Sequence, residues 1–223
     1  MNCCCQGWIL AGVIGFGGLA YLVGAIPFGL LISRAKGVDI RKVGSGNIGA
    51  TNVFRSVSKM LGVLTFFADA LKGWVPAWVF PMLVVKLSGA DVPVELGLAY
   101  AALAIMGHTW PVYLGFKGGK GVATSAGALI GIAPAATGIG LLCWAVVFAV
   151  SRYVSLASIV ATVVVAGSAW VIYRDQGLAL PVALTVLAAL IVWRHKANIQ
   201  RLMNGTEHRF SKKTPAATDA VAK

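Results

Sequence analysis

The run GVATSAGALIGIAPAATGIGLLCWAVVFAV, residues 121–150, contains no charged residue. One bilayer crossing takes about 20 apolar residues, so the run is too long for a single ordinary span. Pro134, Gly138 and Gly140 interrupt it, and Pro and Gly are common break points in membrane helices. Lys117 and Lys120 precede the run, and a strongly basic tail, Arg194–Lys213, ends the apolar part of the chain. Clustered Lys and Arg mark the cytoplasmic face. Two clear spans, Tyr153–Tyr173 and Gly177–Trp193, also lie between these basic points. Two points on one face must be joined by an even number of crossings. The run is therefore expected to cross twice, breaking near Pro134–Gly140, with Arg152 back inside.

Earlier segments follow the same logic. Gly7–Ser33 is uncharged, and Arg34 is the first charge. Positive charge follows this span rather than preceding it, which places the N-terminus outside and argues against a cleaved signal peptide. The loop Arg34–Lys59 carries six basic residues against Asp39 alone. Apolar stretches at roughly 60–85 and 94–116 lead out and back. The expected fold is all-α: a polytopic integral membrane protein of about seven transmembrane helices, with a cytoplasmic C-terminus. Five crossings plus re-entrant or short helices are the alternative. Residues 1–213 read as a single membrane-embedded catalytic domain and 214–223 as a disordered tail. No internal repeat suggests an inverted-repeat transporter.

Composition agrees. The chain is 58% hydrophobic and 12% charged, with a mean hydropathy of +0.83, whereas a soluble domain is roughly 25% charged. Net charge is +12. In a membrane protein that excess belongs to inward-facing loops, anionic lipids or anionic substrates, and no nucleic-acid motif accompanies it. Cys3, Cys4, Cys5 and Cys143 have no metal-ligand spacing and read as unpaired thiols.

Three polar clusters fall on the inward face. In VGSGNIGATNVFR (43–55), Gly44, Gly46 and Gly49 give G-x-G-x-x-G. A dinucleotide loop needs a strand before it and a helix after it, and none of the βαβ pattern is present. Ser45, Asn47, Thr51 and Asn52 supply amides and small polar groups for an anion, and Arg55 supplies a forked clamp. A glycine-rich turn entering a helix explains the shape equally well. FKGGKGVATS (116–125) fails the phosphate-loop pattern because Gly121 follows Lys120. Gly118, Gly119, Lys117 and Lys120 before a helix still suit anionic oxygens. In RHKANIQRLMNGTEHRF (194–210), His195, Asn198 and Arg201 share a helical face. A basic juxtamembrane helix touching lipid headgroups is the lesser alternative. Asn204–Thr206 fits a glycosylation sequon that a cytoplasmic tail leaves unmodified.

Within the spans, Asp69 and Lys72 read as a structural pair three residues apart, and His108 as a hydrogen-bonded structural histidine. Ser155 and Ser158 face one side and suit either an oxygen ligand or helix packing. No separate Gly-x-Ser-x-Gly elbow is present, and neither His108 nor His195 is followed five residues on by an acid.

In combination, GAIPFGLLI (24–32), GSGNIGATNVFR (44–55), DALKG (69–73), GHTWPVY (107–113), FKGGKGVAT (116–124), RYVSLAS (152–158) and NIQRLMNGTEHRF (198–210) resemble the bacterial acyl-phosphate:glycerol-3-phosphate acyltransferases, the PlsY family. The resemblance implies an inner-membrane enzyme that moves a fatty acyl group from acyl phosphate to the 1-hydroxyl of glycerol 3-phosphate. It implies no cofactor and no metal. Its motif residues fall here on Ser45, Asn47, Arg55, Lys120, His195 and Asn198, with Glu207 and Ser155 or Ser158 as further candidates. Membrane lipids are the expected surroundings, a monomer is the expected state, and no nucleic acid is involved. An anion channel or phosphate transporter is the rival reading, opposed by the near-absence of charge in the spans after residue 121.

Overall fold

The computed structural model describes residues 3–89 and 95–210, with side chains from Leu10 onward. The Cys3–Cys5 thiols, part of the loop before Glu95 and the 214–223 tail lie outside the described residues. Every regular element among the described residues is helical, as the composition requires.

Helix α1 runs Cys3–Ala25 and α2 runs Phe28–Arg34, bent by 42° at the Ile26–Pro27 break. The uncharged stretch 7–33 is thus a broken helix rather than the single rod the sequence suggests, because Pro27 brings no N–H and ends the ladder. The Ile26 carbonyl at the break accepts from the Phe28 N–H at 3.1 Å and from Lys72 Nζ at 2.7 Å. In an apolar surrounding, an unsatisfied carbonyl is costly enough to make such a partner necessary.

After a loop, α3 (Ala50–Ser56) leads into α4 (Lys59–Trp74), a π-helical turn (Val75–Val79) and α5 (Phe80–Ser88). Helix α6 spans Glu95–Thr109. The long run then divides into α7 (Val122–Ile132) and α8 (Pro134–Ser151). The break falls at Ala133–Pro134, at the near edge of the expected zone. Then come α9 (Val154–Ile172), α10 (Ala179–Arg194) and α11 (Lys196–Met203), the last two bent by 57°.

Among the described residues, 59–88, 134–151 and 154–172 can each cross a membrane by length and composition, and up to five spans result if each bent pair counts as one. Helices α6 and α7, which the seven-crossing reading counts as spans, are shorter. The 11 residues of α7 rise only about 16 Å.

Helix α8 packs on α9, α1 on α6 and α4 on α7. Small residues set these approaches. A Cβ at Gly73 would strike Thr124 O and one at Gly127 would strike Ala70 O, so α4 and α7 touch backbone to backbone. The interior is rich in alanine, including Ala104, Ala128, Ala136 and Ala157. Large apolar side chains such as Phe67, Leu142, Val171 and Val186 point outward instead. This inversion suits lipid, where close packing of small residues drives helix association.

Candidate functional site

The three polar clusters meet around one cavity of about 750 Å³. Its wall includes Ser45, Asn47, Thr51 and Arg55 from the first cluster, Lys120 from the second, and His195, Asn198, Arg201 and Glu207 from the third. Gly44, Asn52, Ser155 and Ser158 also line it. The cavity therefore draws on segments more than 150 residues apart in sequence.

Asn52 builds the first wall. Its Nδ2 reaches Ile40 O, Val43 O and Asn47 O at 3.2, 3.0 and 2.9 Å. Its Oδ1 accepts from the Ser45 N–H at 3.0 Å and from Ser56 Oγ at 3.2 Å. Asn47 Oδ1 in turn accepts from the Gly49 N–H at 2.8 Å. Asn52 was expected to bind phosphate, but its side chain is fully spent on fixing the loop, so it shapes the wall instead. Gly46 is off the cavity, and its N–H is used by Val43 O at 3.1 Å.

The second loop requires a larger correction. Gly118 and Gly119, expected as phosphate donors, do not line the cavity. Their N–H groups bond to Thr109 O at 3.2 Å and His108 O at 3.1 Å. Their carbonyls accept Arg194 Nη2 at 3.1 and 2.9 Å. A Cβ at Gly119 would collide with His108 Nε2, so glycine is there for close approach. Lys117 is also off the cavity, which leaves Lys120 as this loop's cation.

A chain of charge-assisted bonds holds Lys120. Its Nζ donates to Asn198 Oδ1 at 2.6 Å. Asn198 Nδ2 donates to Glu207 Oε1 at 2.8 Å, and Ser155 Oγ donates to the same oxygen at 2.8 Å. Arg201 Nε pairs with Glu207 Oε2 at 2.8 Å. Glu207, a further site candidate from the sequence, is thus the hub that orders Asn198, Ser155 and Arg201 and, through Asn198, Lys120. Burial pushes its carboxyl up, but the hydrogen bonds from Asn198, Arg201 and Ser155 outweigh that and hold it below the usual range. Asn198 keeps one amide N–H for a ligand. Ser158 accepts Trp144 Nε1 at 3.2 Å and keeps its hydroxyl proton.

Burial lowers Lys120 to about 8, with Glu207 opposing and Arg201, Arg55 and Arg194 reinforcing the shift. It remains the charged ammonium at neutral pH. His195 is only 2% exposed, and burial, then Lys120, hold it at about 4. Its Nδ1 faces Ile191 O at 2.8 Å, which fixes Nδ1 as the donor and leaves Nε2 as an acceptor. His195 is therefore no third cation beside Arg55 and Lys120 but a neutral imidazole that can accept a hydrogen bond.

Arg55 is the other strong cation. Burial lowers its pKa, yet a guanidinium stays charged. It lies 4.5 Å from the Phe210 ring centroid, and Nη2 reaches His208 O at 3.4 Å. Phe210 also meets Phe54 and Phe148, and its N–H bonds to Arg152 O at 3.0 Å. The segment 206–210 thus lies along one side of the cavity.

Sequence reasoning left Asp69, His108, Trp144 and His208 out of the site, and all four line the cavity. Asp69 pairs with Lys72 at 2.8 Å, and both side chains are 2% exposed. The default that intramembrane ionisable residues mark function would have flagged Asp69.

A family model described as glycerol-3-phosphate acyltransferase matches residues 14–205. A glycerol-3-phosphate acyltransferase of Methylobacillus flagellatus is 44% identical over 87% of this chain and 95% of its own. The crystal structure of PlsY, an integral membrane glycerol 3-phosphate acyltransferase, in its glycerol 3-phosphate form is 43% identical, with a TM-score of 0.80. That match covers 89% of this chain and 96% of the PlsY chain. The lysophosphatidic acid form of PlsY is 42% identical over 89% of this chain and 95% of its own, with a TM-score of 0.77.

Proposed function

The chain belongs to the PlsY-type glycerol-3-phosphate acyltransferase family, and from that premise we propose that it transfers a fatty acyl group from acyl phosphate to the 1-hydroxyl of glycerol 3-phosphate. The products are lysophosphatidic acid and inorganic phosphate. The protein works as one multi-pass unit in the bacterial inner membrane and draws its lipidic substrate and product from the bilayer.

The observation that carries this reading is the convergence of Arg55, Lys120, Ser45, His195 and Asn198 on one cavity. Both substrates bear phosphate, so two separate cations are needed, and Arg55 and Lys120 supply them. Ser45 and the spare N–H of Asn198 orient the reactants by hydrogen bonds. His195 Nε2, a fixed neutral acceptor, holds the attacking hydroxyl in the bound complex without adding charge, and the hydroxyl turns its proton from His195 to the substrate phosphate as the acyl bond forms.

The chemistry asks little more of the protein. Acyl phosphate is already activated because phosphate leaves readily. The hydroxyl oxygen bonds to the acyl carbon, the carbon–oxygen bond to phosphate breaks, and the hydroxyl proton passes to a substrate phosphate oxygen. No acyl-enzyme forms. Placing the two reactants together and matching the charge that develops supplies the acceleration.

The test incubates the purified protein with acyl phosphate and glycerol 3-phosphate and measures lysophosphatidic acid and phosphate. Equal release of both products is expected, with no turnover of acyl coenzyme A. Phosphate flux through liposomes without acyl transfer would instead favour the transporter reading, and acyl-Ser45 trapped by mass spectrometry would exclude direct transfer.

A further inference from the structure

Arg194 is the last residue of α10, directly before His195 and the bend into α11. Its Nη2 donates to Gly118 O at 3.1 Å and to Gly119 O at 2.9 Å. These are the two carbonyls just ahead of Lys120. No carboxylate among the described residues pairs with Arg194. The side chain is half-buried and stands off the cavity wall. Its charge is therefore directed at the backbone of the glycine-rich loop rather than at an acid or at the cavity.

That loop is held from three sides. The N–H groups of Gly118 and Gly119 bond to Thr109 O and His108 O at the end of α6. Their carbonyls bond to Arg194 at the end of α10. The Lys120 side chain bonds to Asn198 on α11. One nitrogen serves both carbonyls, so both would lose their charged donor together. Lys120 would then keep only its side-chain anchor. Because Arg194 and His195 are consecutive, the same guanidinium ties the loop that carries the ammonium to the residue beside the imidazole acceptor. A misplacement of about 1 Å between reacting groups can cost about 100-fold in rate.

Arg194 also contributes charge. Burial is the main cause of the low pKa of Lys120. Among the charged groups around it, Glu207 opposes the shift, and Arg201, Arg55 and Arg194 add to it. His195 is neutral there.

We propose that Arg194 is a positioning residue for acyl transfer: it clamps the backbone ahead of Lys120 to the end of α10 and so holds the phosphate-binding ammonium in register with His195. This rests on the acyl-transfer reading above. Arg194 acts through Lys120 and His195 and not by touching substrate.

Full pH–rate profiles of Arg194→Met, Arg194→Gln and Arg194→Lys in the full-length protein test it, beside thermal midpoints in detergent. Methionine removes both the donor and the charge. Below the alkaline limb, kcat/KM of Arg194→Met is expected to fall about 30-fold. The limb, at about 8 in wild type, should move to higher pH, because a lysine relieved of a neighbouring positive charge keeps its proton longer. Glutamine keeps a donor without the charge, so its loss should be smaller while its limb moves the same way. Lysine keeps the charge but not the fork, so its limb should stay in place with a loss of about 5-fold. A side chain needed for folding alone would scale the whole profile down with the amount of folded enzyme and leave every limb where it was. That result overturns the proposal, as does wild-type kcat/KM in Arg194→Met. If the methionine variant does not accumulate, Arg194→Gln carries the same comparison. If wild type makes no lysophosphatidic acid, it is the acyltransferase reading that falls.

Discussion

Lys120 Nζ donates to Asn198 Oδ1 at 2.6 Å, tying the glycine-rich loop to α11 across 78 residues of sequence. Asn198 is held in turn by Glu207, and Glu207 by Ser155 and Arg201. The ammonium is therefore fixed before any anion arrives, so little ordering entropy remains to be lost on binding.

That fixed ammonium gives the activity an alkaline limb. Lys120 titrates at about 8, well below an ordinary lysine. It is charged and able to pair with phosphate below that pH, and loses the charge as pH rises through it. The kcat/KM of the free enzyme should fall above about pH 8. In Lys120→Arg the limb should move beyond the accessible range, because a guanidinium keeps its proton. A pH–rate profile with an unchanged limb in that variant would remove Lys120 from the phosphate site.

His195 should contribute no limb near pH 6.5, because it is held neutral down to about 4. An NMR titration of its ring proton should show no charging between pH 5 and 8. A midpoint near 6.5 would contradict the buried, Lys120-flanked environment described here.

Arg55→Ala should cut kcat/KM by about 30-fold or more, the usual cost of removing one partner of a desolvated charge pair. Arg55→Lys should recover part of the charge but not the forked geometry. Steady-state kinetics with each phosphate-bearing substrate varied in turn measures both. Wild-type values in the alanine variant would exclude Arg55 from the site.

Asn52→Ala should destabilise the protein by about 3 kcal/mol, since the Ser45 N–H and several carbonyls lose their partner together. A lower thermal midpoint in detergent, with a raised KM, is the expected outcome. Reduced activity at an unchanged midpoint would assign Asn52 to substrate binding after all.

Gly127→Ala should cost about 1–3 kcal/mol, because the new methyl meets Ala70 O and pushes α7 from α4. Gly138→Ala, where a Cβ meets nothing within 4 Å, is the matched control. Equal thermal midpoints for the two variants would contradict the close approach.

The membrane class and the gathering of the polar clusters were legible in the sequence, and for a physical reason. Charge cannot lie in lipid without cost, so Arg55, Lys120 and Arg201 were expected outside the spans, and the expected parity of the crossings put them together on one face. The finer division of labour was not legible. Gly118 and Gly119 look like anion donors until Thr109 and His108 are seen to take their N–H groups. Asn52 looks like a ligand until its five bonds are counted on the loop itself. Helical periodicity gives the face a residue occupies but not its depth, so His108 read as structural although the cavity reaches it. The α1–α2 bend was hidden because Pro27 interrupts hydrogen bonding without altering hydropathy.

Phe210 stitches the described end of the chain back onto its middle, through the Arg152 carbonyl and the rings of Phe54 and Phe148. An affinity handle therefore belongs beyond residue 210. Trimming the gene to stop before Thr206 would strip away the carboxylate that organises Lys120 and lay one flank of the reaction chamber open.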